Sequence, residues 1–351
     1  MKKLLLVSAI SAALAAGVGS LRASDDQAVK LVDRPADRRV DVLVDGKPFT
    51  SYIYPTNQQK PVLYPIRGAG GQLVTRGYPL DPKPGERADH PHHVGHWFNY
   101  GDVNGYDFWG HSSETPAANK PKMGTIVHKS IDKATSGATR GELAVKADWN
   151  LADGSTLMRE ETQFVFSGAA GRRTIDRMTK WTATDKAVTF NDTKEGAFGI
   201  RVARALDHPS KQADTYIDAS GQREKQRRVN NEGATGQYIA SDGKTGEEVW
   251  GTRGPWMGLT GVVEGTALTL AIFDHPSNHG HPTYWHARGY GLFAANPFGQ
   301  QGYDAKQPPA TFTLKPGQSV TFRHRILVLD GKLTREQLAA EYSQYTAKGT
   351  R

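Results

Sequence analysis

Apolar residues recur at every second position through much of the chain, the period of a strand with one buried face. Val40, Val42 and Val44 alternate with polar neighbours, Asp45-Gly46 supplies turn chemistry, and Phe49 to Tyr54 resumes an extended pattern. Thr162, Phe164 and Phe166 share one side of another predicted strand, and Ala267 to Phe273 form an apolar one. Phe312 and Leu314 precede the turn Pro316-Gly317, after which Val320, Phe322, His324, Ile326 and Val328 fall on one face and Thr321, Arg323 and Arg325 on the other. One segment reads as a helix. Thr334 and Gln337 form a capping box, Leu333 and Leu338 are spaced as a hydrophobic staple, and Arg335 to Tyr345 runs without a breaker.

The 38 glycines favour many tight turns over long helices. Regular strand-helix alternation and a GxGxxG stretch are absent. The expected fold is therefore all-β: a large antiparallel β-sandwich over roughly residues 30–332, with a short C-terminal helix near 334–345. No repeat and no Pro/Ser-rich linker divides residues 24–351, which are expected to form a single domain.

The first residues change the picture of location. Lys2 and Lys3 precede the apolar run Leu4 to Val18, and small residues lead to Ala23 before a polar stretch. Such a run is too short to span a bilayer and fits a signal peptide over residues 1–23. The expectation is export, most simply to a periplasm, without stable membrane association. The chain has no cysteine, so no lipid can be attached through one. Cleavage after Ala23 would remove three of the 44 Lys and Arg residues and leave 41 against 36 acidic ones, a formal +5. Those charges are scattered, which disfavours nucleic acid as a partner.

Candidate chemistry concentrates in two places. Asp89 to His96 holds His90, His92, His93 and His96 around Pro91 and Gly95. Imidazoles exchange protons near neutral pH and ligate transition metals, so His93 and His96 are candidate catalytic groups, and His90, His92 and His93 are candidate ligands for a divalent metal ion. Asp102, Asn104 and Trp109 follow, a mixture suited to sugar hydroxyls and to the apolar face of a pyranose. The second cluster, Asp274 to Arg288, begins where an apolar strand stops. It offers His275, His279, His281 and His286, with Trp285 and Arg288 as sugar or carboxylate contacts and Asn296 beyond them. His279 joins the catalytic candidates, as does Glu160 at the start of the strand Thr162 to Phe166. Arg201, Arg204, Glu248, Trp250, Arg253 and Trp256 are further candidates for anion and sugar contacts. HExxH, GxSxG and P-loop signatures are absent, which argues against the corresponding metalloprotease, hydrolase and nucleotidase mechanisms.

The runs DHPHHVGHWFNYGDVNGYDFWG and FDHPSNHGHPTYWHARGYGLFAANPFG resemble a bacterial family of exported proteins named methane oxygenase PmoA-like, over roughly residues 30–332. The resemblance implies a sandwich of the galactose-mutarotase-like kind and action on carbohydrates in glycan breakdown. Matching positions are Arg67, His90, His92, His93, Asp102, Asn104, Asp107, His275, Asn278, Trp285 and Asn296, which adds Arg67 to the substrate-binding set. The leading expectation is an exported carbohydrate-active enzyme, a lyase, hydrolase or epimerase, using acid/base chemistry with or without a metal on a sugar or oligosaccharide. The alternative is a noncatalytic periplasmic glycan-binding protein. Segments 90–96 and 275–288 are expected to form opposing walls of one pocket.

Overall fold

The computed structural model describes residues 28–226 and 228–347, so the expected signal peptide lies outside the described residues. Period-two segments pair into two large antiparallel sheets. The nine-stranded sheet runs, in spatial order, Val29–Arg34, Arg39–Val44, Lys47–Ile53, Val62–Leu63, His96–Tyr100, Gly196–Arg201, Leu292–Asn296, Thr283–Arg288 and Arg253–Gly254. The eight-stranded sheet runs Gln237–Ala240, Trp256–Val263, Thr266–Asp274, Ser319–Asp330, Arg172–Ala183, Thr156–Ala169, Arg140–Asn150 and Thr125–Thr135. Adjacent strands pair antiparallel throughout both sheets, as hairpin-rich sequence requires.

Alternate side chains of the two sheets meet to form the core. Phe98 packs 4.5 Å from Trp181 and 5.4 Å from Phe322 between ring centroids, and Phe49 meets Phe166 edge-on at 6.3 Å. The expected row Phe322, His324, Ile326 and Val328 is buried in this layer, as are Thr162, Phe164 and Phe166. Each apolar side chain among them contributes about 1.5–3 kcal/mol of burial free energy. The first hairpin closes on Asp45 and Gly46, at φ 51° and 72°, the left-handed pair that a two-residue turn needs.

The helix spans Arg335–Ala347. Its capping box is formed: Thr334 N donates to Gln337 Oε1 at 2.8 Å, and Gln337 N donates to Thr334 Oγ1 at 3.3 Å. Leu338 and Tyr345 bury against Trp256, Ala271, Phe273 and Leu327, on the side of the eight-stranded sheet facing away from the core, with Leu333 packed alongside. The helix closes one end of that sheet and leaves the outer face of the nine-stranded sheet to loops.

Candidate functional site

The long connection from Tyr64 to Gly95 lies against the outer face of the nine-stranded sheet, and one buried guanidinium sets its shape. Arg76, 2% exposed, donates through Nη1 to the carbonyls of Arg87 and Asp89 and to Asp89 Oδ1, and through Nη2 to the carbonyls of His90 and His93, at 2.7–3.1 Å. Asp89 also accepts from Arg201 Nη2 and bonds His90 Nδ1. Burial alone would raise the Asp89 carboxyl, but Arg201, the His90 hydrogen bond and Arg76 together hold it well below the usual carboxylate range. Lys60 Nζ donates to the His92 carbonyl at 2.8 Å and lies over the Trp97 ring. Gly95, at φ +56°, passes against the Leu63 carbonyl where a Cβ would collide, so this glycine serves a backbone crossing.

Strand alternation supplies the floor. Phe98 and Tyr100 point into the core while Trp97 points outward, and Trp285 and Ala287 point inward while His286 and Arg288 point outward. His93 stacks on Trp97 at 5.2 Å and 13° and meets Trp109 edge-on at 5.4 Å. Trp109 in turn lies 6.5 Å from His286 at 16°, and His286 meets Tyr303 at 6.1 Å. The Asp107 carboxylate presents Trp109 by accepting the N–H groups of Trp109 and Gly110. Tyr290 stacks on His90 at 4.9 Å and lies under the Arg201 guanidinium, with the Arg288 guanidinium 5.8 Å away and also 5.5 Å from Trp250.

His93, Trp109 and His286 are 1%, 2% and 2% exposed, yet His93 Nε2, Trp109 Nε1 and His286 Nδ1 have no hydrogen-bond partner among the described residues. Burial, with His92, His90 and Arg201 nearby, holds His93 well below the usual imidazole range, and burial pulls His286 down to about 4. Both rings are thus neutral near pH 7 and carry one hydrogen each. His93 Nδ1 faces Arg201 Nη1 at 3.3 Å and must accept, so the hydrogen sits on Nε2. The Lys194 backbone near His286 favours a hydrogen on that ring, and His286 Nδ1 has no partner among the described residues. The Trp109 ring therefore lies between two buried imidazoles, with an unpaired donor at His93 Nε2 and an unpaired nitrogen at His286 Nδ1.

Other expected site residues lie elsewhere. Glu160 and His96 belong to the inter-sheet interior. Glu160 accepts from Thr162 Oγ1, Arg177 Nη2, Trp149 Nε1 and Trp181 Nε1, and His96 bonds Arg177 Nη1 and the Gly199 carbonyl. Every polar atom of these two side chains is matched within that interior. Trp285 is also core, its Nε1 donating to the Gly254 carbonyl. His279 packs on Phe312 and Phe298, His275 bonds Ser277, and His281 bonds Asp274, so residues 275–282 do not line the cluster around His93; strand Thr283–Arg288 does. Arg67 bonds the Gly71 carbonyl, and Asp102 accepts from Gly105 and Asn191. Asn104 ties Ala187 to Thr189, and Asn296 holds the turn at Phe298 and Gly299. These four staple loops. His90 and His93 stack in parallel at 1°, and His92 meets both edge-on; among the described residues no group of three is disposed to hold a metal.

Tyr290, Tyr303, Arg76 and Lys60 were not among the expected residues, and His286 stood in the second cluster without an assigned role. The sequence carries a signal for His286: in Tyr284-Trp285-His286-Ala287-Arg288 the period of two separates Trp285 from His286 and Arg288.

A family model matches residues 39–343, most of the chain, under the description "Family of unknown function (DUF6807)". The chain belongs to DUF6807. That match replaces the PmoA-like resemblance, which no family match supports. No curated protein matches this DUF6807 chain. Among solved structures, it is similar to the galactosidase domain of an α-galactosidase-sucrose kinase, at 10% identity and TM-score 0.41 over 86% of this chain and 42% of that one. An α-galactosidase from Geobacillus stearothermophilus gives 10% and 0.40 over 86% and 41%. A galactose 1-epimerase from Lactobacillus acidophilus gives 12% and 0.37 over 87% and 98%. The chain thus spans about two fifths of the two galactosidase structures. Likenesses this distant transfer neither substrate nor reaction.

Proposed function

We propose that this DUF6807 protein is an exported carbohydrate-active enzyme whose outer-face cluster performs acid/base chemistry on a sugar. The observation that carries the reading is the pair of neutral imidazoles flanking Trp109, His93 with its Nε2 donor unpaired and His286 with its Nδ1 unpaired. Buried polar groups without partners cost about 1–3 kcal/mol each, so a fold that keeps several together has reason to do so. In this reading His286 Nδ1 is the lone pair that takes a proton from the sugar, His93 Nε2 donates a hydrogen bond to the ring or departing oxygen where negative charge develops, and the tryptophan and tyrosine rings pack against apolar sugar faces. The half-buried rings of Tyr290 and Tyr303 touch the cluster and must turn for a sugar to reach it.

The test is a turnover screen over oligosaccharides and their oxidised or unsaturated derivatives, followed by His93→Phe and His286→Phe. Each variant should remain folded and lose about a hundredfold to ten-thousandfold in turnover. Full turnover in both would sink the catalytic assignment. Saccharide binding without turnover across the screen would favour the noncatalytic binding protein. Export is tested separately: mature protein from the periplasm should begin near Ser24, and an intact Met1 chain confined to the cytoplasm would exclude it.

A further inference from the structure

We infer that the sugar taken by this site carries a carboxylate, and that Arg288 reads it. This rests on the outer-face cluster being a sugar site. Arg288 ends the strand Thr283–Arg288, one outward-facing position beyond His286, and its side chain is exposed. Its guanidinium lies near the rings of Trp250 and Tyr290 at 5.5 and 5.8 Å, contacts that orient a planar cation. Among the described residues it has no hydrogen-bond or ion-pair partner, whereas the buried guanidiniums of Arg76 and Arg201 share the Asp89 carboxylate. Arg76 and Arg201 also have the carboxylates of Glu86 and Asp207 near them, and Lys194, across the site, is engaged by Glu195, which leaves Arg288 as a cation without a counter-ion among the described residues.

An oriented guanidinium with all its donors free presents the fork that matches a carboxylate in two parallel hydrogen bonds. Neutral sugar hydroxyls would leave that charge uncompensated. Arg288 acts on the electrostatics of both His286 and Tyr290, so an acid group bound there sits beside the proton-accepting imidazole. The substrate class is therefore an acidic sugar such as a uronic acid residue, its carboxylate on Arg288 and its ring reaching inward toward His286 and Trp109.

The experiment is calorimetric titration of the full mature chain with short oligomers of glucuronate, galacturonate and mannuronate, each as free acid and as methyl ester, beside their neutral hexose counterparts and a sulfated neutral oligomer. At least one free acid should bind on the order of tenfold to a hundredfold more tightly than its own ester. That preference should weaken with salt, disappear in Arg288→Met and survive only partly in Arg288→Lys, which keeps the charge but loses the fork. Acid and ester binding alike, with Arg288→Met unchanged, would overturn the inference while leaving the sugar site standing. Tighter binding of the sulfated oligomer than of any uronate would also overturn it. Failure of every saccharide, acidic or neutral, to bind would remove the sugar site and this inference together.

Discussion

Two buried regions of this protein are assembled from the same side chains, and the way their polar atoms are matched separates them. Between the sheets, Glu160, Arg177, His96, Trp149 and Trp181 form a network in which both carboxylate oxygens, both indole N–H groups and both imidazole nitrogens are used. On the outer face, His93, Trp109 and His286 are as deeply buried but each keeps a polar atom without a partner. Burial, histidine content and depressed imidazole basicity are common to both regions and distinguish nothing. Saturation does: a completed network holds a fold together, whereas an incomplete one keeps capacity for something that is not part of the chain.

The sharpest break of this contrast is Glu160→Ala. It leaves the Arg177 charge and two indole donors buried without their acceptor, and urea unfolding should show a loss on the order of 3–5 kcal/mol. An unchanged midpoint would mean that the inter-sheet network is not what holds this layer.

Lys60 supplies the next largest effect, as a charge on the outer face that is poorly served. Burial pulls its ammonium down to about 7, with Asp107 opposing. Because the folded state releases this proton before the unfolded chain does, the penalty is full below about pH 7 and relieved as pH rises toward the ordinary lysine range. Stability should therefore increase from neutral pH toward pH 10 by an amount on the order of 1–3 kcal/mol attributable to this group. Lys60→Met should be more stable than wild type at pH 6, with that advantage shrinking as pH rises; a difference constant with pH would refute the assignment.

His286→Phe sharpens the comparison from the other side. It removes an unpaired buried nitrogen, so stability should change by no more than about 1 kcal/mol in either direction while turnover collapses. A loss comparable to that of Glu160→Ala would make the outer cluster structural as well. The smallest effect is expected at His279. Alanine there trims a half-exposed ring from Phe312 and Phe298, with about 0.5–1 kcal/mol lost and saccharide binding or turnover unchanged. Loss of turnover in that variant would restore His279 to the site.

The strands and the helix were legible because their information is local. The alternation from Val320 to Val328 and the pairing of Thr334 with Gln337 depend on neighbours one to four residues away, and both appear as expected. The site was legible in composition and much less so in membership. His90 to His93 and Arg288 do converge around Tyr290, but His96 lies only three positions beyond His93 and is turned into the core. Within the strand His96–Tyr100 both faces are buried, so a period of two cannot say which face carries chemistry. The strand Thr283–Arg288 was more readable, and weighting aromatic identity over alternation favoured Trp285 where His286 is the residue that faces outward. The clamp at Arg76 had no local signature, since its acceptors lie eleven to seventeen residues away.

That clamp addresses the histidine loop chiefly through main-chain oxygens, four carbonyls and a single side chain, Asp89. A grip of this kind is indifferent to most of the side chains it supports. The course of residues 87–93 is thereby uncoupled from the identity of Pro91 and His92, and the imidazoles at 90 and 93 can be exchanged while their carbonyls stay where Arg76 needs them. Relatives could retain Arg76 and Asp89 and alter the intervening letters, retuning what the loop recognises without redesigning its path. For an engineer, the same arrangement marks positions 90 and 92 as the place to build a library and positions 76 and 93 as the ones to leave alone.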